Sequence, residues 1–178
     1  MHSLNHGVNY YFDVEAFDSG TDYYQPVGEF QSVQSGNWDD VNTWARHDGS
    51  GWIQPAPDYP DISDGSVTIL NGHTVTVTSA DSADQLTIAS GGTLVINKDI
   101  TFKINDGIGV DLMVEGTVEN YGALTSEASA AITFMKDGLY AHRQNGGTLP
   151  TAAWKYNSTC LIDSVHYSVP VNGNQDFY

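Results

Sequence analysis

From Ser66 onward, short alternations of apolar and polar residues recur, each closed by turn-forming residues. Val67-Thr68-Ile69 is followed by Thr74-Val75-Thr76-Val77, Leu86-Thr87-Ile88 by Thr93-Leu94-Val95-Ile96, and Leu112-Met113-Val114 by Thr117-Val118. Alternation with period two places every second side chain on one face of an extended chain, so each triplet predicts a strand with one buried side. Tight breaks at Asn71-Gly72, Gly91-Gly92 and Gly116 separate the first strand of each pair from its Thr-led second strand. The unit returns after roughly 19 to 26 residues, the coil length of a β-solenoid.

Ile100-Thr101-Phe102-Lys103-Ile104 carries the same alternation. Ala131-Ile132-Thr133-Phe134 repeats it, which would put Ile132 and Phe134 in the positions of Ile100 and Phe102 after an insertion spanning 119–129. A helix beginning within 126–135 is the alternative, but the β-branched pair Ile132-Thr133 and the following Asp137-Gly138 favour a strand. Gly146-Gly147-Thr148-Leu149 echoes Gly91-Gly92-Thr93-Leu94, and Thr159-Cys160-Leu161-Ile162 supplies a further strand. The repeat still runs near Tyr178 without a capping sequence, so the chain is expected to be cut from a longer one.

Upstream, Val8 to Phe17 alternates as one strand, and a short extended stretch comes next at Tyr23-Tyr24. Two strands cannot form a sandwich, so they must pack on the downstream chain or stay loosely held. Between Gln31 and Asp64, Trp, Pro, Gly and Asp abound without a sustained period, which predicts an irregular cap. The expected organisation is all-β: an N-terminal aromatic-rich β segment over 1–30, a cap loop over 31–65 and a short right-handed parallel β-helix over 66–178.

Composition narrows the partners. Lys and Arg total 6 against 22 Asp and Glu, a formal charge of −16, which repels phosphate backbones, anionic headgroups and polyuronates. A neutral polysaccharide or no ligand fits better, and nucleic acid and direct membrane insertion do not, since no apolar run approaches the ~20 residues of a span. Cys160 is the single cysteine, which precludes an intrachain disulfide and reads as a small buried hydrophobe. The opening Met1-His2-Ser3-Leu4-Asn5-His6-Gly7 lacks the basic and apolar regions of a signal peptide, so export would be encoded upstream. Sparse Lys with abundant Asp, Asn and Thr suits an extracellular protein.

Two resemblances add context. Gly7-Val8-x-Tyr10-Tyr11-Phe12-x-Val14-x-Ala16-Phe17 is similar to the penultimate strand of a fibronectin type III domain, of which only the tail would be present. Ser35-Gly36-Asn37-Trp38-Asp39-Asp40-x-x-Thr43-Trp44, with Pro60, Asp64 and the strand pairs from Val67 to Leu94, resembles the opening of β-helix regions in large secreted bacterial surface proteins. Trp154-x-x-x-Ser158-Thr159-Cys160-x-Ile162, Pro170 and Gln175-x-Phe177 resemble a later segment of the same regions. The resemblance implies a parallel β-helix in a multimodular, adhesin-like or polysaccharide-processing protein, secreted or at the cell surface, whose partners include other modules of the same polypeptide. It carries no catalytic residues over.

Candidate chemistry is sparse. A lyase needs a basic catalyst beside a cation, yet Lys98, Lys103, Lys136 and Arg143 have no clustered acids at matching coil positions. Hydrolysis needs two carboxylates ~5 to 9.5 Å apart, and Asp106 and Asp111 lie beside Gly107 and Gly109, where Asp is ordinary turn chemistry. No catalytic residue is therefore assigned. Asp58, Asp61 and Asp64 are the candidate cation ligands, for calcium, against a reading as solvated turn acids. His73 is expected in a packing or turn role, and the Asn157-Ser158-Thr159 sequon is taken as chance.

Aromatic rings can cover the C–H face of a neutral sugar. Trp38 and Trp44 read as cap core, whereas Trp52, Tyr59, Trp154 and Tyr156 lie in less regular stretches and are expected to be exposed, which makes them the candidate ligand residues. The expected function is a non-catalytic, carbohydrate-binding or adhesive module, monomeric in isolation. The alternatives are a structural spacer between modules and a fragment of a polysaccharide lyase or glycoside hydrolase.

Overall fold

The computed structural model describes residues 28–177, and the strand expected over 8–17 with its fibronectin-like resemblance lies outside them. Within these bounds the chain is all-β, with one 3-10 turn at Val41–Thr43 and no α-helix among the described residues. A partial opening coil holds β1 (Phe30–Ser32) and β2 (Gly36–Asn37), and an excursion follows with β3 (Trp44–His47) and β4 (Trp52–Ile53). Three full coils come next: β5 (Val67–Ile69), β6 (Thr74–Val77) and β7 (Asp81–Ala83); β8 (Leu86–Ile88), β9 (Thr93–Ile96) and β10 (Thr101–Ile104); β11 (Leu112–Val114), β12 (Thr117–Asn120) and β13 (Ala123–Ser126). Two-strand coils close the stack, β14 (Ile132–Phe134) with β15 (Leu139–His142), and β16 (Ala153–Trp154) with β17 (Thr159–Ile162).

Like strands of successive coils pair in parallel, giving a β-solenoid of about four turns. The first sheet runs β16-β14-β11-β8-β5-β1-β3-β4, the second β17-β15-β12-β9-β6-β2, and the third only β13-β10-β7. Register sets like against like: Val67 lies beside Leu86, Leu86 beside Leu112, and Leu112 beside Ile132. Val75 lies beside Leu94, Leu94 beside Val118, and Val118 beside Tyr140. These inward residues are fully or almost fully buried and form one core. A fully buried aliphatic or aromatic side chain contributes roughly 1.5–3 kcal/mol over its exposed state, so each rung adds a comparable increment.

Corners between the first two sheets are tight turns. His73 N–H donates to Leu70, Gly92 to Ala89, Gly138 to Met135 and Ser158 to Lys155, each closing a four-residue turn. The third residue of each turn has positive φ, supplied by Gly72, Gly91, Asp137 and Asn157. The following position is narrower still: a Cβ on Gly116 would overlap the carbonyl oxygens of Gly92 and Ala89, and one on Gly138 that of Val114.

The N-terminal end is closed by aromatics, as the cap reading of Trp38 and Trp44 requires. Trp38 packs edge-on against Phe102 at 4.8 Å and Trp44 at 5.2 Å, and both indoles are buried. Their N–H groups donate to the carbonyls of Pro60 and Trp38 at 3.1 and 2.7 Å, which removes the cost of burying them.

Several expectations change. The coils begin at Phe30 rather than Ser66, because Phe30 pairs in parallel with Val67 and Gly36 with Val75; only the intervening excursion is cap. The span 119–129 is no insertion, since it holds the end of β12 and all of β13. Ile132 and Phe134 therefore continue the first sheet beside Leu112 and Val114, while Phe102 pairs with Leu124 in the third. The residue in the Gly92 position is Gly138, not Gly147, because Thr93, Thr117 and Leu139 share a rung, and Thr148 instead bridges to Val171.

Substituting Gly116 with Ala is expected to cost about 1–3 kcal/mol by overpacking against backbone that cannot yield. Gly51→Ala, in open space without positive φ, is expected to stay within about 0.5 kcal/mol of wild type. Denaturant unfolding of both variants checks this.

Candidate functional site

The four aromatic candidates do not converge. Trp52 on β4 and Trp154 on β16 occupy the two terminal strands of the eight-stranded sheet. Trp52 is 39% exposed and leans edge-on against His47 at 5.2 Å, and Tyr59 is 43% exposed in the cap. Trp154 is not exposed: it is 97% buried, stacked on Phe134 at 4.3 Å with Phe177 at 5.0 Å beyond it, and its indole N–H donates to Gln175 Oε1 at 3.3 Å. Its less regular sequence surroundings made it look exposed, but it is the last rung of the core in the first sheet. Tyr156 is 74% exposed and sits in the corner turn closed by Ser158 and Lys155. Trp154 and Tyr156 do line one open cleft, of about 580 Å³, with Lys155, Gln175 and Asp176.

Arg46 organises the acidic candidates. Its guanidinium reaches Asp58 at 3.4 Å and Asp64 at 3.3 Å. Asp64 Oδ2 accepts the Asp61 N–H at 2.8 Å, and Asp61 Oδ1 accepts both the N–H and the hydroxyl of Ser63. Hydrogen bonds from Ser63 hold the Asp61 pKa down, while burial foremost pushes that of Asp64 up. No group of three or more His, Cys, Asp or Glu side chains is arranged to hold a metal ion among the described residues.

Other singled-out residues have structural partners. Asp111 is buried and accepts the N–H groups of Gly107 at 2.8 Å and Ala131 at 2.6 Å, so it ties two coils together. His73 lies at a corner with Nδ1 2.8 Å from Ser32 Oγ. Cys160 packs half-buried against the core, and burial pushes its thiol up to about 11.

A recess that the sequence reading missed lies on the flank, where the second sheet turns toward the third. It encloses about 440 Å³ and is lined by Lys98, Asp99, Tyr121, Arg143, Gln144, Asn145, Ser164 and His166. It opens where the third sheet has run out: β13 is the last strand of that sheet, while the second continues through β15 and β17. Lys98 and Asp99 form a tight turn closed by Ile100 N–H to Asn97, with Asp99 at φ 62°. Tyr121 follows β12 and is 38% exposed.

The far wall is held by charge and amide bonds. Arg143 pairs with Glu119 at 3.5 Å and with Asp163, and both neighbours raise its pKa against the opposing effect of burial, the largest single cause. Asn145 Oδ1 accepts the backbone N–H groups of His166, Tyr167 and Ser168 at 2.8–3.0 Å, which fixes the returning segment. Gln144 Nε2 donates to the Gly122 carbonyl. Lys98 forms no ion pair among the described residues. No protein-family model matches the chain, no curated protein matches it in sequence, and no solved structure matches it.

Chemically the recess offers one aromatic face, an unpaired ammonium, a carboxylate, a hydroxyl and an imidazole, on a wall ordered by its own hydrogen bonds. Its residues are about one coil apart, so the signal for them is the coil register: Ile96, Asn120, His142 and Ile162 share a rung, and the recess residues follow directly after them.

Asp84 faces Asp111 on the opposite corner, with one carboxylate oxygen buried and unpartnered. Burial, then the charge of Asp111, raises its pKa. A folded-state pKa above the unfolded one means that its favourable contribution is complete below the ordinary carboxylate value and is lost as pH rises through the elevated one. Asp84→Asn should therefore raise Tm at neutral pH and lose that advantage in acid, as checked by melts from about pH 3 to 8.

Proposed function

We propose that the chain is a non-catalytic glycan-binding module of a secreted or cell-surface protein, and that it takes a neutral polysaccharide in the flank recess. The supporting observation is the Tyr121 ring set among Lys98, Asp99, Ser164 and His166 in a pocket whose wall is already ordered. A pyranose presents an apolar C–H face and a rim of hydroxyls, which calls for a flat ring and a few fixed donors and acceptors. Pre-ordering the wall reduces the entropy lost on binding.

Neutral ligand follows from charge. Arg143 is compensated by Glu119 and Asp163, and the Lys98 ammonium shares the recess with the Asp99 carboxylate, so the lining carries no excess of positive charge to select an anion. The formal charge of −16 on the chain opposes polyuronates at longer range. Trp52 and Tyr156, at opposite ends of the solenoid, serve as internal controls rather than as parts of this site.

Affinity electrophoresis in gels containing neutral polysaccharides tests the reading. Wild type is expected to be retarded, Tyr121→Ala to lose at least about tenfold in affinity, equivalent to ~1.4 kcal/mol, and Trp52→Ala and Tyr156→Ala to migrate as wild type. Retardation lost with Tyr156→Ala but kept with Tyr121→Ala would move the site to the C-terminal cleft. No retardation with any glycan would leave the stacked coils as a spacer.

A further inference from the structure

The solenoid core is aliphatic along most of the second sheet, but polar in two adjacent coils. Where one column reads Val77 and Ile96, its next members are Asn120 and His142; where the other reads Leu94 and Val118, its next member is Tyr140. Asn120, Tyr140 and His142 are all 0% exposed. Burying three polar side chains in two columns that aliphatic residues otherwise fill costs stability unless each is bonded.

Each is bonded, and the bonds form a line. Gly122 N–H donates to Asn120 Oδ1 at 3.1 Å, and Asn120 Nδ2 donates to the Tyr140 hydroxyl at 2.8 Å. That hydroxyl lies 3.4 Å from His142 Nδ1, and His142 Nε2 lies 2.6 Å from the Gly146 carbonyl. With the proton on Nε2, His142 donates to Gly146 and accepts from Tyr140, so one tautomer satisfies the whole line. Its two ends are informative. Gly122 directly follows Tyr121, the aromatic wall of the recess, and Gly146 directly follows Asn145, the residue that anchors the opposite wall.

The geometry points to Asn120, Tyr140 and His142 as a buried positioning relay that fixes the Tyr121 wall and the Gln144–Gly147 wall of the glycan recess relative to one another. This rests on the flank recess being the binding site. The three residues touch no ligand; they act through the backbone at Gly122 and Gly146. An aliphatic side chain would fill the core equally well but would leave both backbone groups without these partners.

Tyr140→Phe keeps the ring, and with it the edge contact to Phe134 at 5.8 Å, while removing the central hydroxyl. His142→Leu removes the link to Gly146, and His142→Gln restores a donor to that carbonyl. Amide hydrogen exchange on the whole chain is the ligand-independent measurement, and affinity electrophoresis with a neutral polysaccharide is the second. Tyr140→Phe and His142→Leu should speed exchange by about tenfold at Gly122, whose N–H ends the relay, and at Gly146, whose N–H donates to the Ser168 carbonyl across the same wall, without changing Thr87 or Met113 in the first sheet. Affinity should fall about tenfold in parallel, and His142→Gln should recover most of both effects. Unchanged exchange at the two glycines, or acceleration spread evenly over both sheets, overturns the relay even if wild type binds glycan. Absence of glycan binding by wild type, with the local exchange effect present, overturns the recess as a ligand site and with it the purpose assigned to the relay.

Discussion

The parallel ladder between successive coils is the constraint on which everything else in this structure rests. Neighbouring strands must lie ~4.8 Å apart, so each coil has to present, at each inward position, a side chain that packs on its counterpart one turn away. Val67, Leu86, Leu112 and Ile132 meet this demand in the first sheet, and Val75, Leu94, Val118 and Tyr140 in the second. The same spacing dictates the corners. Where backbone crosses backbone at Gly92, Gly116 and Gly138, there is no room for a side chain at all.

Because the coils stack in one direction, the ends require separate solutions. At the N-terminal end, Phe30, Trp38 and Trp44 form a T-shaped aromatic cluster whose indole donors are satisfied internally. At the other, Trp154 stacks flat on Phe134 and is covered in turn by Phe177. In the second sheet, Ile162 of the last strand lies beside His142 and is 47% exposed.

The strand pairs of the first two sheets were legible because their alternation is strong and their turns carry Gly or Asn. Other elements were not. In the third sheet, β7 is Asp81-Ser82-Ala83, with Ala83 as its one apolar residue, and β13 has Leu124 as its one large one, so neither shows a period. The opening coil was hidden by the long excursion that separates Phe30 from its partner Val67. Trp154 was misjudged because an aromatic near a turn gives no sign of which way it points. The recess could not be seen from local sequence, since its side chains come from successive coils and meet only once the register is known. Even so, the polar intrusion at Asn120 and His142 is visible as soon as the strands are aligned beneath one another.

The corner between the first and second sheets carries a further implication. From Ile88 to Thr93 the chain takes one path, yet from Val114 to Thr117 it makes the same transition in a shorter span, and both ends remain in phase. The stack thus counts rungs rather than residues. Residues added on the outer side of such an elbow would reshape the contour of the rod while the interior stays untouched, provided that the glycine at the inner crossing is kept.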